Sequence, residues 1–117
     1  MVFKIRFPGN YSANDINKGN IDVNIILSDG TIYFGTFFTI ANIQELLTND
    51  TRCYFWATDM FIVKDLSRST IRYSVSQAIQ DGYFEDIFCK IGVIGEKKFS
   101  FYSDFDSIED MTSTKFE

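Results

Sequence analysis

Asp81, Glu85 and Asp86 in "DGYFEDIF", and Asp104, Asp106, Glu109 and Asp110 in "YSDFDSIEDM", are the two places where carboxylates gather in this sequence. Closely set carboxylates can do acid–base work, as pairs do across a glycosidic bond, when their surroundings hold one protonated and the other ionised. Their spacing here sets no such separation. With Asp59 and Asp65, the acids of the first group read more simply as turn, cap and solvated-face residues. Asp104 and Asp106 start like a calcium loop, but the places where an EF-hand needs glycine and a bidentate glutamate hold Glu109 and Lys115. Histidine is absent, which removes the commonest general base, the Ser–His and Cys–His pairs, and most zinc and iron sites. Cys53 and Cys89 stand far apart in "RCYFW" and "IFCKIG" and form no CxxC pattern. Apolar flanks predict two buried, reduced and functionally idle thiols, since Arg52 or Lys90 alone is weak ground for a lowered thiol pKa. No catalytic residue, metal site or cofactor is expected.

Nucleic-acid chemistry fares no better. There is no G-x-G-x-x-G or G-x-x-x-x-G-K-[ST] phosphate cradle. "GTIYFGTFF" mixes glycine and aromatics as an RNA-binding strand does, but it lacks the basic first residue, and core packing explains it more simply. Lys64, Arg68 and Arg72 beside Asp65 read as a solvated face. Charge, by contrast, is unevenly placed. From residue 104 onward five acids face Lys115 alone, a balance of −4 within a net charge of −5. Phosphates repel such a segment and a basic protein surface attracts it. Tyr102, Asp104, Phe105, Asp106, Glu109 and Asp110 are therefore the first candidates for contact with a basic partner, with Asp81, Glu85 and Asp86 next. The competing reading of 104–117 is a mobile, solvated tail whose charge keeps the protein soluble.

The elements that must position these residues follow from periodicity. "VFKIRF" (2–7) alternates apolar and basic residues, as a half-exposed strand does, and 8–20 reads as a long loop. "IDVNIIL" and "TIYFGTFFT" are partner strands around Asp29-Gly30, a tight-hairpin signal. Asn42 with Glu45 resembles a capping box opening a helix through "IQELLT". "CYFWATDMFIV" (53–63) reads as one or two strands. Ser67 caps a second helix whose stripe is Ile71, Val75, Ala78 and Ile79 and whose stop is Gly82. Phe84, Ile87, Phe88 and Ile91 fall at helical spacing, so a third helix is expected up to Gly92, with a strand as the alternative. A final hairpin is expected over 93–102. The order β-ββ-α-ββ-α-α-ββ predicts one α+β domain over 1–117, a mainly antiparallel sheet with two or three helices packed on one side.

At 117 residues and 45% hydrophobic, such a domain can bury a core without disulfides or metal. The 13 Phe, 6 Tyr and 1 Trp are expected to lie mostly in that core. No apolar run nears the ~20 residues of a membrane span. "MVFKIRFPGN" lacks the apolar stretch and cleavage site of a secretory leader, so a cytoplasmic protein is expected.

"SDGTIYFGTFFTIANIQELL" (28–47) followed by "YFWATDMFIVKDLSRSTIRYSVSQAIQDGYFEDIF" (54–88) resembles the small immunity proteins of bacterial polymorphic-toxin and contact-dependent growth inhibition systems. The likeness spans about residues 21–91 and rests on an Asp-Gly hairpin, a strand running into a short helix, and "MFIVKDLS" feeding a long one. It implies a cytoplasmic, non-enzymatic inhibitor of one cognate toxin domain, commonly a nuclease with a basic surface. It assigns no residue roles, since such contacts differ from pair to pair. The alternative expectation is an adaptor or regulatory protein–protein interaction domain.

Overall fold

The computed structural model describes residues 2–7, 11, 16–49 and 53–108. Asp29 and Gly30 turn the chain as the sequence predicts. Gly30 takes a φ of 91° and its N–H donates to the Leu27 carbonyl at 2.9 Å, while the Thr31 N–H donates to the Asp29 carboxylate at 2.9 Å. The turn joins β2 (Asn20–Leu27) to β3 (Thr31–Thr39), and β1 (Phe3–Arg6) pairs antiparallel with the outer side of β2. On the other side of β3 two short strands lie end to end. β5 (Cys89–Val93) runs antiparallel along Thr31–Phe34, and β4 (Met60–Val63) runs parallel along Thr36–Thr39. The result is a mixed, mostly antiparallel five-stranded sheet within an α+β domain.

The period of two along each strand divides the core. Phe3, Ile5, Val23, Ile25, Tyr33 and Phe37 face the helices, where α2 (Arg68–Gln80) buries Ile71, Val75 and Ala78, and α3 (Phe84–Ile87) buries Phe84. Ser67 caps α2 by accepting the Thr70 N–H at 3.2 Å, and Gly82 closes it at a φ of 83°. Phe88 stacks on Phe37 at 5.7 Å between centroids and lies over Gly35, where a Cβ would overlap its ring. Ile26 and Ile32 point to the opposite face, which is covered by Phe99, Tyr102 and Ile108. Among the described residues no helix is long and apolar enough to cross a membrane.

Several expectations need correction. The predicted third helix lasts one turn, because Ile91 packs with Ile26 and Ile32 while Phe84 and Phe88 join the helix-covered core. One helix stripe cannot reach both faces of a sheet, so the chain becomes strand at Cys89. The final hairpin is absent: after β5 a 3-10 turn at Lys97–Phe99 drops the Phe99 ring onto Gly92. Of 53–63 only Met60–Val63 is strand, and Asp59 enters it at a φ of 56°. The α1 helix (Ile40–Asn49) starts at Thr39, whose hydroxyl accepts the Asn42 N–H at 3.2 Å, while Glu45 pairs with Lys18 at 2.7 Å. Ile79 is only partly buried. Cys53 and Cys89 are free thiols and both exposed, not buried.

Candidate partner-binding surface

The C-terminal candidates are held against the sheet. The Lys4 ammonium donates to the carbonyls of Phe105 and Ile108, each at 2.7 Å, and lies 4.7 Å from the centre of the Phe105 ring. Ile108 is buried beneath this clasp. Tyr102 is a correction to the sequence reading: only 5% exposed, it stacks beside Phe99, and its hydroxyl accepts from the Asn24 amide at 3.0 Å. A ring so placed belongs to the core and cannot anchor a partner. Phe105 is partly buried and capped by Lys4, so the aromatics of this stretch serve the fold. Asp104 and Asp106 do reach solvent. The Ser107 N–H donates to Asp104 at 2.8 Å and, with the Ser107 hydroxyl, holds that carboxyl below its ordinary value. Glu109 and Asp110 lie outside the described residues.

Asp81, Glu85 and Asp86 are brought together at the corner where α2 ends and α3 begins, and all three are exposed. The corner exists because Gly82 leaves the helix with a positive φ and the Tyr83 N–H then donates to the Ala78 carbonyl at 2.9 Å. Tyr83, which lies between Asp81 and Glu85 in the chain, is left 60% exposed. Glu85 accepts a hydrogen bond from the Tyr33 hydroxyl at 3.3 Å. Burial, with the Glu85 charge adding to it, pushes that hydroxyl above its ordinary pKa.

Beside the corner a groove of about 710 Å³ opens between β4 and one flank of α2. Ile62 and Lys64 line one wall, Tyr73, Gln77 and Asp81 the other, and Tyr83 the end. Tyr73 is 65% exposed. Sequence reasoning singled out neither tyrosine, although the spacing that turns Ile71 and Val75 inward turns Tyr73 outward. Tyr83 follows Gly82, beyond any periodic run, and no sequence signal marked it. At the start of α2 the basic residues are engaged with rings: Arg72 stands 4.6 Å from the centre of Phe3, and Arg68 5.0 Å from that of Tyr11. Just before α2, burial works to raise the Asp65 carboxyl, and hydrogen bonds from Ser67 and Thr70 outweigh it and leave it lowered. No cluster of three or more potential metal ligands occurs among the described residues.

Exposed acids around outward aromatics can do two things chemically. The charges steer a basic surface inward, and the rings supply apolar area that can be fully desolvated on contact. Against protein-family models, curated proteins and solved structures, nothing matches this chain.

Proposed function

We propose that this chain is a cytoplasmic protein-binding inhibitor, an immunity protein that neutralises a basic toxin domain, most simply a nuclease, by covering its surface. The observation that carries the reading is the α2–α3 corner. There Asp81, Glu85 and Asp86 are exposed within three residues of an outward Tyr83, with Tyr73 exposed on the adjoining flank. A nuclease holds phosphates with positive charge, and an acidic protein surface can occupy that charge in their place. The carboxylates raise the association rate in a salt-dependent way, and Tyr83 and Tyr73 slow release. Asp104 and Asp106 lend charge from the opposite side of the sheet, where among the described residues Tyr102 is buried and Phe101 is 68% exposed.

Co-expression with the C-terminal domain of the protein encoded by the neighbouring upstream gene tests the reading, which expects that domain to be toxic by itself. The intact protein is expected to restore growth and to co-purify with that domain. Tyr83→Ala combined with Glu85→Gln and Asp86→Asn is expected to lose protection while keeping its melting temperature. Stable capture of a partner with no toxicity to neutralise would support the adaptor reading instead. Protection that survives the triple variant would remove the corner from the interface.

A further inference from the structure

We infer that the outer edge of β4, inside the groove bounded by α2, pairs with an extended segment of the partner protein that carries basic side chains at its Asp81 end. This rests on the protein-binding reading above and names how the partner is held.

The edge is open for a definable reason. β3 and β4 are parallel, and the Thr36 N–H donates to the Asp59 carbonyl at 3.0 Å. Backbone groups alternate in direction along a strand. Asp59, Phe61 and Val63 therefore turn theirs toward β3, and Met60 and Ile62 turn theirs away. β4 ends the order of the sheet on that side, and among the described residues no strand pairs with its outer edge. Ile62 is 48% exposed. Natural sheets blunt such edges with charge or proline. The opposite edge, β1, does so with Lys4 and Arg6 in "FKIR", whereas "MFIV" in β4 carries no guard.

The occupant follows from shape and charge. A strand edge flanked by one helix admits a single extended segment, which adds to the sheet through main-chain hydrogen bonds. A second copy would bring its own α2 to the same edge, and its own net charge of −5. The two ends of the groove carry opposite charge: Lys64 stands where the chain passes from β4 toward α2, and Asp81 where α2 ends. Beyond Asp81 lie Glu85 and Asp86. A segment with lysine or arginine at that end and small or β-branched residues along β4 matches both features.

The probe is the blocked peptide Lys-Lys-Val-Thr-Val-Thr, added at millimolar concentration to the isotope-labelled full chain. Its controls are the same peptide N-methylated at alternate amides, and a version with glutamates in place of the lysines. Amide exchange at Met60 and Ile62 should slow by about tenfold or more on saturation, as a newly paired strand requires, with Phe61 and Val63 little changed. The N-methylated and acidic peptides should leave Met60 and Ile62 unprotected. Asp81→Asn should weaken binding about twofold to fivefold, the size of an exposed ion pair. Ile62→Pro removes an outward N–H that β3 does not use, so the melting temperature should hold while peptide protection disappears. Unaltered exchange at Met60 and Ile62, or equal binding of the N-methylated peptide, overturns the inference. So does sedimentation as a dimer with both amides protected and no peptide present. Growth protection lost in the corner variant yet retained in Ile62→Pro would leave the corner as the binding surface and remove the groove.

Discussion

Residues 81–88 and 102–108 are both built from acids and aromatics, yet the first stretch turns Tyr83 outward and the second folds Tyr102 inward. Composition does not separate them; the surroundings do. In 81–88 the rings of Phe84 and Phe88 fill the core beside Phe37, so Tyr83, between two helices, is left over for solvent. In 102–108 no α-helix among the described residues covers the sheet face at Ile26 and Ile32, and Tyr102 and Ile108 are drawn in beside Phe99 to cover it. An acidic–aromatic stretch leaves a ring in solvent only where other residues already fill the core.

The contrast breaks or sharpens under mutation. Phe88→Ala should have the largest effect, since it uncovers both Phe37 and Gly35, with a loss of about 3–5 kcal/mol in denaturant unfolding. Tyr102→Ala should lose about 2–4 kcal/mol, whereas Tyr83→Ala should stay within about 0.5 kcal/mol of the parent. Equal losses from the two tyrosine variants would erase the distinction between the stretches. Lys4→Met keeps the length of the side chain but strips the Phe105 and Ile108 carbonyls of their donor. It should cost about 1–2 kcal/mol in the same measurement, and faster amide exchange at Ile108 would localise that loss.

The smallest effect is on pH. Asp29, Asp65 and Asp104 are all held below the ordinary value of 3.8 by hydrogen bonds. A carboxyl lowered in the folded state binds a proton less readily there than when unfolded. Its contribution is therefore present above the ordinary value and lost as pH falls through the lowered one. Melting temperature should drop below about pH 4, and Asp104→Asn should flatten part of that drop. An unchanged profile in Asp104→Asn would mean that its bond with Ser107 does nothing for the fold.

Where the determinants were local, the sequence was readable. Asp29-Gly30, Ser67, Gly82 and the stripe through Ile71 and Val75 each decide their own element within a few residues. The misreadings were non-local. Phe84, Phe88 and Ile91 keep helical spacing, yet Ile91 belongs to the other face of the sheet, which only the pairing of β5 with β3 reveals. Tyr102 is buried through Asn24, a residue 78 positions away. Of the candidate site, Asp81, Glu85 and Asp86 were visible as charge. That an exposed tyrosine stands in the same corner depends on the backbone angle at Gly82 and on which rings the core took first.

The Lys4 clasp also orders events in time. Its hydrogen bonds join residues 101 and 104 positions apart, so one half is made long before the other, which exists only after residue 108 has been added. Closing so long a loop comes late in refolding as well, because contacts of high sequence separation form slowly. Until then Ile26 and Ile32 have an uncovered face while the helix-covered core can already assemble. The nascent protein therefore passes through a half-dressed sheet, the stage at which a chaperone would find it and at which neighbouring chains on a polysome could adhere. In refolding, protection of the Ile108 amide should lag behind that of Ile71 and Val75. Simultaneous protection of all three would show that both faces close in one step.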